Sequence, residues 1–271
     1  MRVALLQLRT PATQAAALAH VEPLAREAAA GGAQLIATPE ATNILQRDRA
    51  VLMPSLRTAD EDVVVTGLRD LARELDVWVL IGSVLVRRDD GKAANRSILV
   101  RPDGRVAATY DKIHMFDVDL PTGERIRESS AYEPGERLVI AEAAGAKLGL
   151  TICYDLRFPA VFQALGRAGA EVVPVPSAFT VPTGEAHWEV LLRARAIEIG
   201  AFVLAPAQGG EHEDGRRTFG HSMITDPWGE VLACSQGDSP GVLLADLDLA
   251  AVGRARAAIP AMANARAFVG P

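Results

Sequence analysis

The chain predicts an α/β fold, a sandwich of mixed sheets with outer helices, and three observations carry that prediction. Short apolar runs of strand length alternate with helical patterns along the sequence, and helices placed between strands must cover a sheet. Hairpin signals interrupt the alternation, which mixes antiparallel pairing into parallel sheet. No linker or low-complexity break divides residues 1–271, so they read as a single domain without a short-period repeat.

Residues 3–8 form an apolar run suited to a buried central strand, and alanine-rich 13–30 is a helix stopped by Gly31 and Gly32. Residues 35–38 are a second strand, ending in Pro39 and Glu40. Residues 63–76 are a helix with Leu68, Leu71, Ala72 and Leu75 on one face, and 77–86 a strand turned by Asp89, Asp90 and Gly91. Pro102, Asp103 and Gly104 join strands 97–101 and 105–110 as a hairpin, and Lys112 follows directly. Residues 117–136, with Pro121, Gly123, Pro134 and Gly135 among many charges, read as a long loop of the kind that is usually functional. Strands are expected at 138–141, 147–152 and 171–175, with a helix at 159–167 opened by Pro159. Residues 185–199 are an amphipathic helix with Val190, Leu191, Ala194 and Ile197 at helical spacing. Strands follow at 202–207, 221–225, 230–234 and 242–245, then a helix at 249–258 and a tail from Pro260.

Composition narrows the function classes. A 49% hydrophobic and 23% charged chain is an ordinary soluble globular protein. Net charge is −6 with scattered lysine and arginine, which argues against nucleic acid or an anionic membrane as partner. The start MRVALLQLRT is broken by Gln7 and Arg9 and carries no signal-peptide pattern, and no apolar run reaches membrane-span length. Cys153 and Cys234 make no disulfide framework and fit a reducing, cytoplasmic setting.

Glu40, Lys112 and Cys153 each follow a strand, and strand ends on one edge of a sheet converge in space. Cys153 lies in KLGLTICYDLRFP, a strand-to-helix corner whose backbone N–H groups can face developing negative charge. A thiol is only a few per cent ionised at neutral pH, so a nearby ammonium would favour thiolate and a carboxylate could take its proton. Singly, each residue also has a structural reading. A lone cysteine is often inert core, a glutamate can start a helix, and a lysine is usually solvated.

Together these stretches resemble the nitrilase superfamily of carbon–nitrogen hydrolases. The resemblance lies in Pro39 and Glu40, in YDKIHMFDVD at 110–119, in Glu128 and Ser129, and in ICYDLRFP at 152–159. It continues through TGEAHWEVLLRARAIE at 183–198 and GHSMITDPWGEVLA at 220–233, covering nearly the whole chain. The spacings from 40 to 112 and from 112 to 153 are those of the short, amidase-type branch. The resemblance implies an αββα sandwich that hydrolyses a carbon–nitrogen bond without metal or organic cofactor. It implies Cys153 as nucleophile, Glu40 as base, Lys112 and the Tyr154 backbone N–H as oxyanion donors, and Glu128 orienting Lys112. A thioester would form and ammonia depart. A homodimer or higher even homo-oligomer is also implied.

Within the superfamily, PEATNILQRD at 39–48 and AQGGEHEDGRRTFGHSMITDPWG at 207–229 resemble the deaminated glutathione amidases more than their sister omega-amidases. Both act on small carboxylated amides. N-carbamoyl amino acid and aliphatic amidases are further alternatives, as is an interaction protein that has lost activity. The tail AIPAMANARAFVGP departs from the branch pattern. An acidic substrate needs a cation, and Arg157 is the first candidate, with an ion pair to Asp155 or a nearby carboxylate as its structural alternative. Phe179 and Thr183 precede the amphipathic helix, whose N-terminus can help bind an anion, and Phe179 reads equally as core. Arg193 and Arg195 read as solvated or ion-paired. A papain-like pairing of Cys153 with His114 or His187 is the alternative mechanism. Trp188 and Trp228 read as core or interface anchors, and Cys234 as a packed thiol.

Overall fold

The computed structural model describes residues 1–88, 90, 92–119, 123 and 125–270. Its first half runs β1 (Arg2–Gln7), α1 (Gln14–Ala30), β2 (Leu35–Ala37), α2 (Arg49–Ser55), α3 (Val63–Leu75), β3 (Trp78–Arg87), β4 (Ala93–Val100) and β5 (Val106–Asp111). A small hairpin, β6 (Asp117–Asp119) and β7 (Arg125–Arg127), leads through a 3-10 turn at Glu128–Ser130. Then come β8 (Ile140–Ala143), β9 (Ala146–Gly149), a 3-10 turn at Cys153–Arg157, α4 (Pro159–Arg167), β10 (Val172–Pro174), α5 (Val181–Ile199) and β11 (Phe202–Ala205). The chain ends with β12 (Gly209–Glu211), β13 (Arg217–Phe219), β14 (Met223–Thr225), β15 (Val231–Cys234), β16 (Gly241–Asp246), α6 (Ala250–Ala258) and α7 (Ala261–Asn264).

Two six-stranded sheets follow one plan, β16-β1-β2-β3-β4-β5 and, read from its other end, β8-β9-β10-β11-β14-β15. Each has three parallel central strands, one antiparallel strand on one side and two on the other. The parallel strands are buried on both faces. Val3 and Leu5 of β1 join a core with Leu148, Val172 and Leu204 of the facing sheet, whereas Ala4 and Leu6 pack under α1 and α3. Phe162 of α4 with Trp188 and Leu192 of α5 covers the second sheet. The layers are therefore helix, sheet, sheet, helix, the αββα sandwich expected.

Helix ends follow their sequence signals. Asp62 caps α3 by accepting from the N–H groups of Val64 and Val65 at 2.9 and 3.1 Å, and Gly200 ends α5 in the left-handed region. Several expectations need correction. On α5, Val190 and Ile197 are exposed, and the buried face is Trp188, Leu192, Arg195, Ala196 and Ile199. The helix starts at Val181, so Thr183 lies inside its first turn. Strand β4 begins at Ala93, earlier than the 97–101 expected, and the strand expected at 147–152 is already over at Gly149. The 117–136 loop contains β6, β7 and the 3-10 turn, and the tail contains α7. Asp89, Gly91 and Pro121, named in the sequence reading of turns and loops, lie outside the described residues. No helix among the described residues is long and apolar enough to cross a membrane.

Candidate active site

Strand direction gathers the site. β5 is antiparallel to β4, which is antiparallel to β3, so β5 runs with β2 and both deliver their carboxyl ends to one edge. Glu40 lies just past β2 and Lys112 directly after β5, both buried. From the facing sheet, Cys153 starts the 3-10 turn beyond β9. Gly82 on β3 lets these segments meet, since a Cβ there would overlap the Thr38 and Pro39 carbonyl oxygens and the Pro176 ring.

Lys112 is the hub. Its Nζ lies 2.8 Å from Glu40 Oε1 and 3.0 and 2.9 Å from the two Glu128 oxygens. The Asn95 amide Nδ2 donates to Glu40 Oε1 at 2.9 Å and to Glu128 Oε1 at 3.2 Å. Glu40 Oε2 accepts from the backbone N–H of Ala178 at 3.0 Å, and Glu128 Oε2 from that of Phe116 at 2.6 Å. Glu40 also interacts electrostatically with the Cys153 thiol, with which it lines the same cavity.

Burial pushes the Glu40 carboxyl up, but the Lys112 ammonium and its hydrogen bond, the Cys153 thiol and the Asn95 amide hold it below the usual carboxylate value. Burial pushes the Lys112 ammonium down, and the Glu128 and Glu40 charges overcome that and raise it well above its ordinary value. Burial and the Glu40 charge push the Cys153 thiol well up, against the pull of Lys112. The resting state is thus carboxylate, ammonium and neutral thiol. A neutral thiol beside an ionised carboxylate fits a base that removes the thiol proton, while Lys112 pulls the thiol the other way.

The corner around Cys153 is held in a conformation few side chains adopt. Its φ is 47°, and its N–H donates to the Pro176 carbonyl at 2.9 Å. Asp155, fully buried, accepts from Ile152 N–H at 2.9 Å and from the Tyr110 hydroxyl at 2.7 Å. His114 Nδ1 pairs with Asp155 Oδ1 at 2.7 Å, and its ring stacks on Phe158 at 3.5 Å. His187 Nδ1 is 3.2 Å from Arg157. Both histidines offered as papain-like partners are thus engaged elsewhere. Arg157 does not pair with Asp155. It lies over the Phe179 ring, 5.5 Å from its centroid.

A cavity of about 920 Å³ opens onto this cluster. Glu40, Asn95, Lys112, Glu128, Cys153 and Tyr154 line its base, with Arg157, Phe179 and Thr183 on the wall. Tyr154 is in the first turn of a 3-10 helix, where leading N–H groups have no partner inside the helix. Thr183 Oγ1 shares a 2.8 Å hydrogen bond with Thr180 Oγ1 in the first turn of α5, whose positive end therefore faces the cavity. Arg47, Arg49, Arg125, Arg127, Arg216 and Arg217 complete the rim, while Glu40 and Glu128 are its only acids among the described residues.

Some expected residues lie elsewhere. Arg193 bonds the Gly229 carbonyl and Glu189, as an ion-paired surface residue would. Arg195 is buried and ion-paired with Glu198 at 3.0 Å, the second of its two expected settings, and donates to the Leu156 carbonyl at 2.9 Å behind the Cys153 turn. Trp188 is core, and its Nε1 donates to the His221 carbonyl at 2.8 Å, whereas Trp228 is exposed. Sequence reasoning missed Asn95, Ala178 and most of the arginine rim. An asparagine inside the apolar strand pattern AANRSILV, where β-propensity disfavours it, was the available signal for Asn95.

Residues 2–257 match the family model described as carbon-nitrogen hydrolase. A deaminated glutathione amidase from Yersinia enterocolitica is 43% identical over 233 residues, which cover 85% of this chain and 81% of that relative. Among solved structures, the C. elegans NitFhit protein matches with a TM-score of 0.91 at 31% identity, over 98% of this chain and 65% of that one. This chain therefore spans just under two thirds of the NitFhit protein. An amidase from Nesterenkonia sp. AN1, solved with acrylamide added at its active site cysteine, matches with a TM-score of 0.79 at 27% identity, over 96% of this chain and 98% of that one.

Proposed function

We propose, for a chain that belongs to the carbon–nitrogen hydrolase family and hydrolyses amides, that Cys153 is the nucleophile and that the substrate is a small carboxylated amide resembling deaminated glutathione. The observation that carries this reading is the convergence of one thiol, one carboxylate and one buried ammonium, the last two hydrogen-bonded, on a single arginine-rimmed cavity.

In this mechanism the Cys153 sulfur bonds to the carbonyl carbon as its proton passes to Glu40, whose depressed pKa keeps it ionised and ready to accept. Negative charge moves onto the carbonyl oxygen, which Lys112 Nζ and the Tyr154 N–H receive. Lys112 stays charged throughout because two carboxylates surround it. Collapse breaks the carbon–nitrogen bond, and Glu40 returns its proton to the departing nitrogen. Ammonia leaves from a primary amide, an amine from a secondary one. Water deprotonated by Glu40 then attacks the thioester, releasing the acid and restoring the thiol. Glu128 holds Lys112 in place through both its oxygens.

The arginine rim and the α5 N-terminus favour an anionic substrate. Arg157 is the nearest rim cation to the thiol in sequence, and its guanidinium lies on an aromatic face with no acid partner among the described residues. Phe179 and Thr183 complete that wall. We read residues 1–271 as one catalytic domain, since a single core takes residues from both sheets. Unpaired Cys153 and Cys234 support a cytoplasmic setting. The exposed Val190, Ile197 and Trp228 support association into a homodimer or higher even oligomer.

The test is product release from a panel of amides by wild type and Cys153→Ala. The panel holds deaminated glutathione, 2-oxoglutaramate, succinamate, an N-carbamoyl amino acid and a neutral aliphatic amide. Fastest turnover of deaminated glutathione, absent in the variant, supports the reading. Preference for the neutral amide overturns the substrate class, and activity unchanged in Cys153→Ala overturns the nucleophile.

A further inference from the structure

We propose that Asn95 is a positioning residue whose side-chain amide ties Glu40 to Glu128 and fixes which oxygen of Glu40 receives the thiol proton. The inference rests on the reading of Glu40 as base.

Asn95 sits on β4, buried, with its backbone carbonyl accepting the Lys112 N–H at 2.9 Å. Its two amide hydrogens are spent on Glu40 Oε1 and Glu128 Oε1. The reverse amide orientation would press Oδ1 against two carboxylate oxygens, so the donor assignment follows from the network. With Lys112 Nζ also on Glu40 Oε1, that oxygen has both lone pairs occupied. Oε2 holds one fixed donor, Ala178 N–H, and keeps a lone pair for the proton from Cys153.

The groups facing Glu40 are Lys112, Glu128, Cys153 and the Tyr132 phenol. Without Asn95 the Lys112 ammonium, which already bonds both carboxylates, would be left as the donor they share. Glu40 Oε1 would then regain a lone pair, and the proton could settle there, away from the sulfur and the departing nitrogen.

A second observation separates this role from packing. Asn95 Oδ1 is buried and has no hydrogen-bond partner among the described residues. An unpaired buried acceptor is destabilising, and leucine of similar size would remove it. What the amide contributes therefore lies with its nitrogen.

The test compares wild type, Asn95→Leu and Asn95→Asp in pH profiles of kcat and KM. Alongside runs a ¹³C NMR titration of glutamate-labelled enzyme, with Glu40→Gln assigning the Glu40 carboxyl. Loss of a donor to a charged group predicts kcat lower by about 10- to 100-fold with KM within about threefold. The Glu40 titration and the acidic limb of the profile should both move upward, further for Asn95→Asp, which adds a third carboxylate, than for Asn95→Leu. A Glu40 titration unmoved in either folded variant, or kcat within threefold of wild type, overturns the proposal. Should Asn95→Leu not fold, the nearly isosteric Asn95→Asp decides alone. The titration needs no substrate, so a wild type that turns over no panel amide would refute the functional reading and still leave the Asn95 result readable.

Discussion

Asp155, two residues past Cys153, accepts a 2.7 Å hydrogen bond from the hydroxyl of Tyr110, two residues before Lys112. This bond joins the thiol corner of one sheet to the lysine strand of the other, so the two reactive groups are held by one buried contact. Burial and the Asp155 charge keep Tyr110 neutral and donating by raising its pKa. Removing a hydrogen bond to a charged group costs about 1.5–3 kcal/mol. Tyr110→Phe should lose that much in denaturant unfolding while keeping the fold. Asp155→Ala should cost more, because Ile152 N–H, His114 N–H and the Tyr110 hydroxyl all lose their acceptor. Equal, small losses in the two variants would show that the bond does not brace the corner.

Glu40→Gln separates thiol reactivity from amide hydrolysis. The Glu40 charge raises the thiol pKa, so its removal beside Lys112 should increase the thiolate fraction. Alkylation of Cys153 by iodoacetamide should persist or quicken, while amide turnover falls by about 10³-fold or more for want of a proton carrier. Parallel loss of both would mean that Glu40 serves only to hold the corner together.

The pH profile follows from the same shifts. Glu40 ionises below its usual 4.5, and the thiol loses its proton well above 9.0. In kcat/KM the acidic limb should therefore be centred below 4.5, with a plateau across neutral pH. Because the folded-state value is depressed, the stability contributed by ionised Glu40 is present above 4.5 and is lost as pH falls through that lower value. An acidic limb centred between 6 and 7 would point to a histidine and favour the papain-like alternative.

Arg157 is expected to act on carboxylated substrates alone. Arg157→Ala should raise KM for them by about 10- to 100-fold, the equivalent of a charge-assisted hydrogen-bond pair, and leave a neutral aliphatic amide within about threefold. A uniform loss across both substrates would assign Arg157 to holding His187 and Phe179.

The α/β sandwich was legible because strand and helix periods alternate, the αββα order followed from the family resemblance, and Pro159 and Gly31 mark helix ends on the residue. Glu40, Lys112 and Cys153 were visible as reactive side chains following strands, and their motifs named the family. Helix α5 was misread because apolar Val190 and Ile197 mimic a core face, while the true face carries a buried arginine, Arg195, among Trp188 and Leu192. Asn95 escaped because its partners come from the segment after β2 and from the turn after β7, contacts that no local pattern encodes. The arginine rim escaped for the same reason, being assembled from the stretch leading into α2, the β6–β7 hairpin and the stretch leading into β13.

The central claim, acyl transfer through Cys153, is tested most directly by acid-quenching the enzyme during turnover of its preferred amide and mapping the adduct by peptide mass spectrometry. The account predicts one acyl group, equal in mass to the product acid less water, on the peptide bearing Cys153, and none in Cys153→Ala. Steady turnover with Cys153 unmodified, or with the acyl group on Cys234, would contradict it.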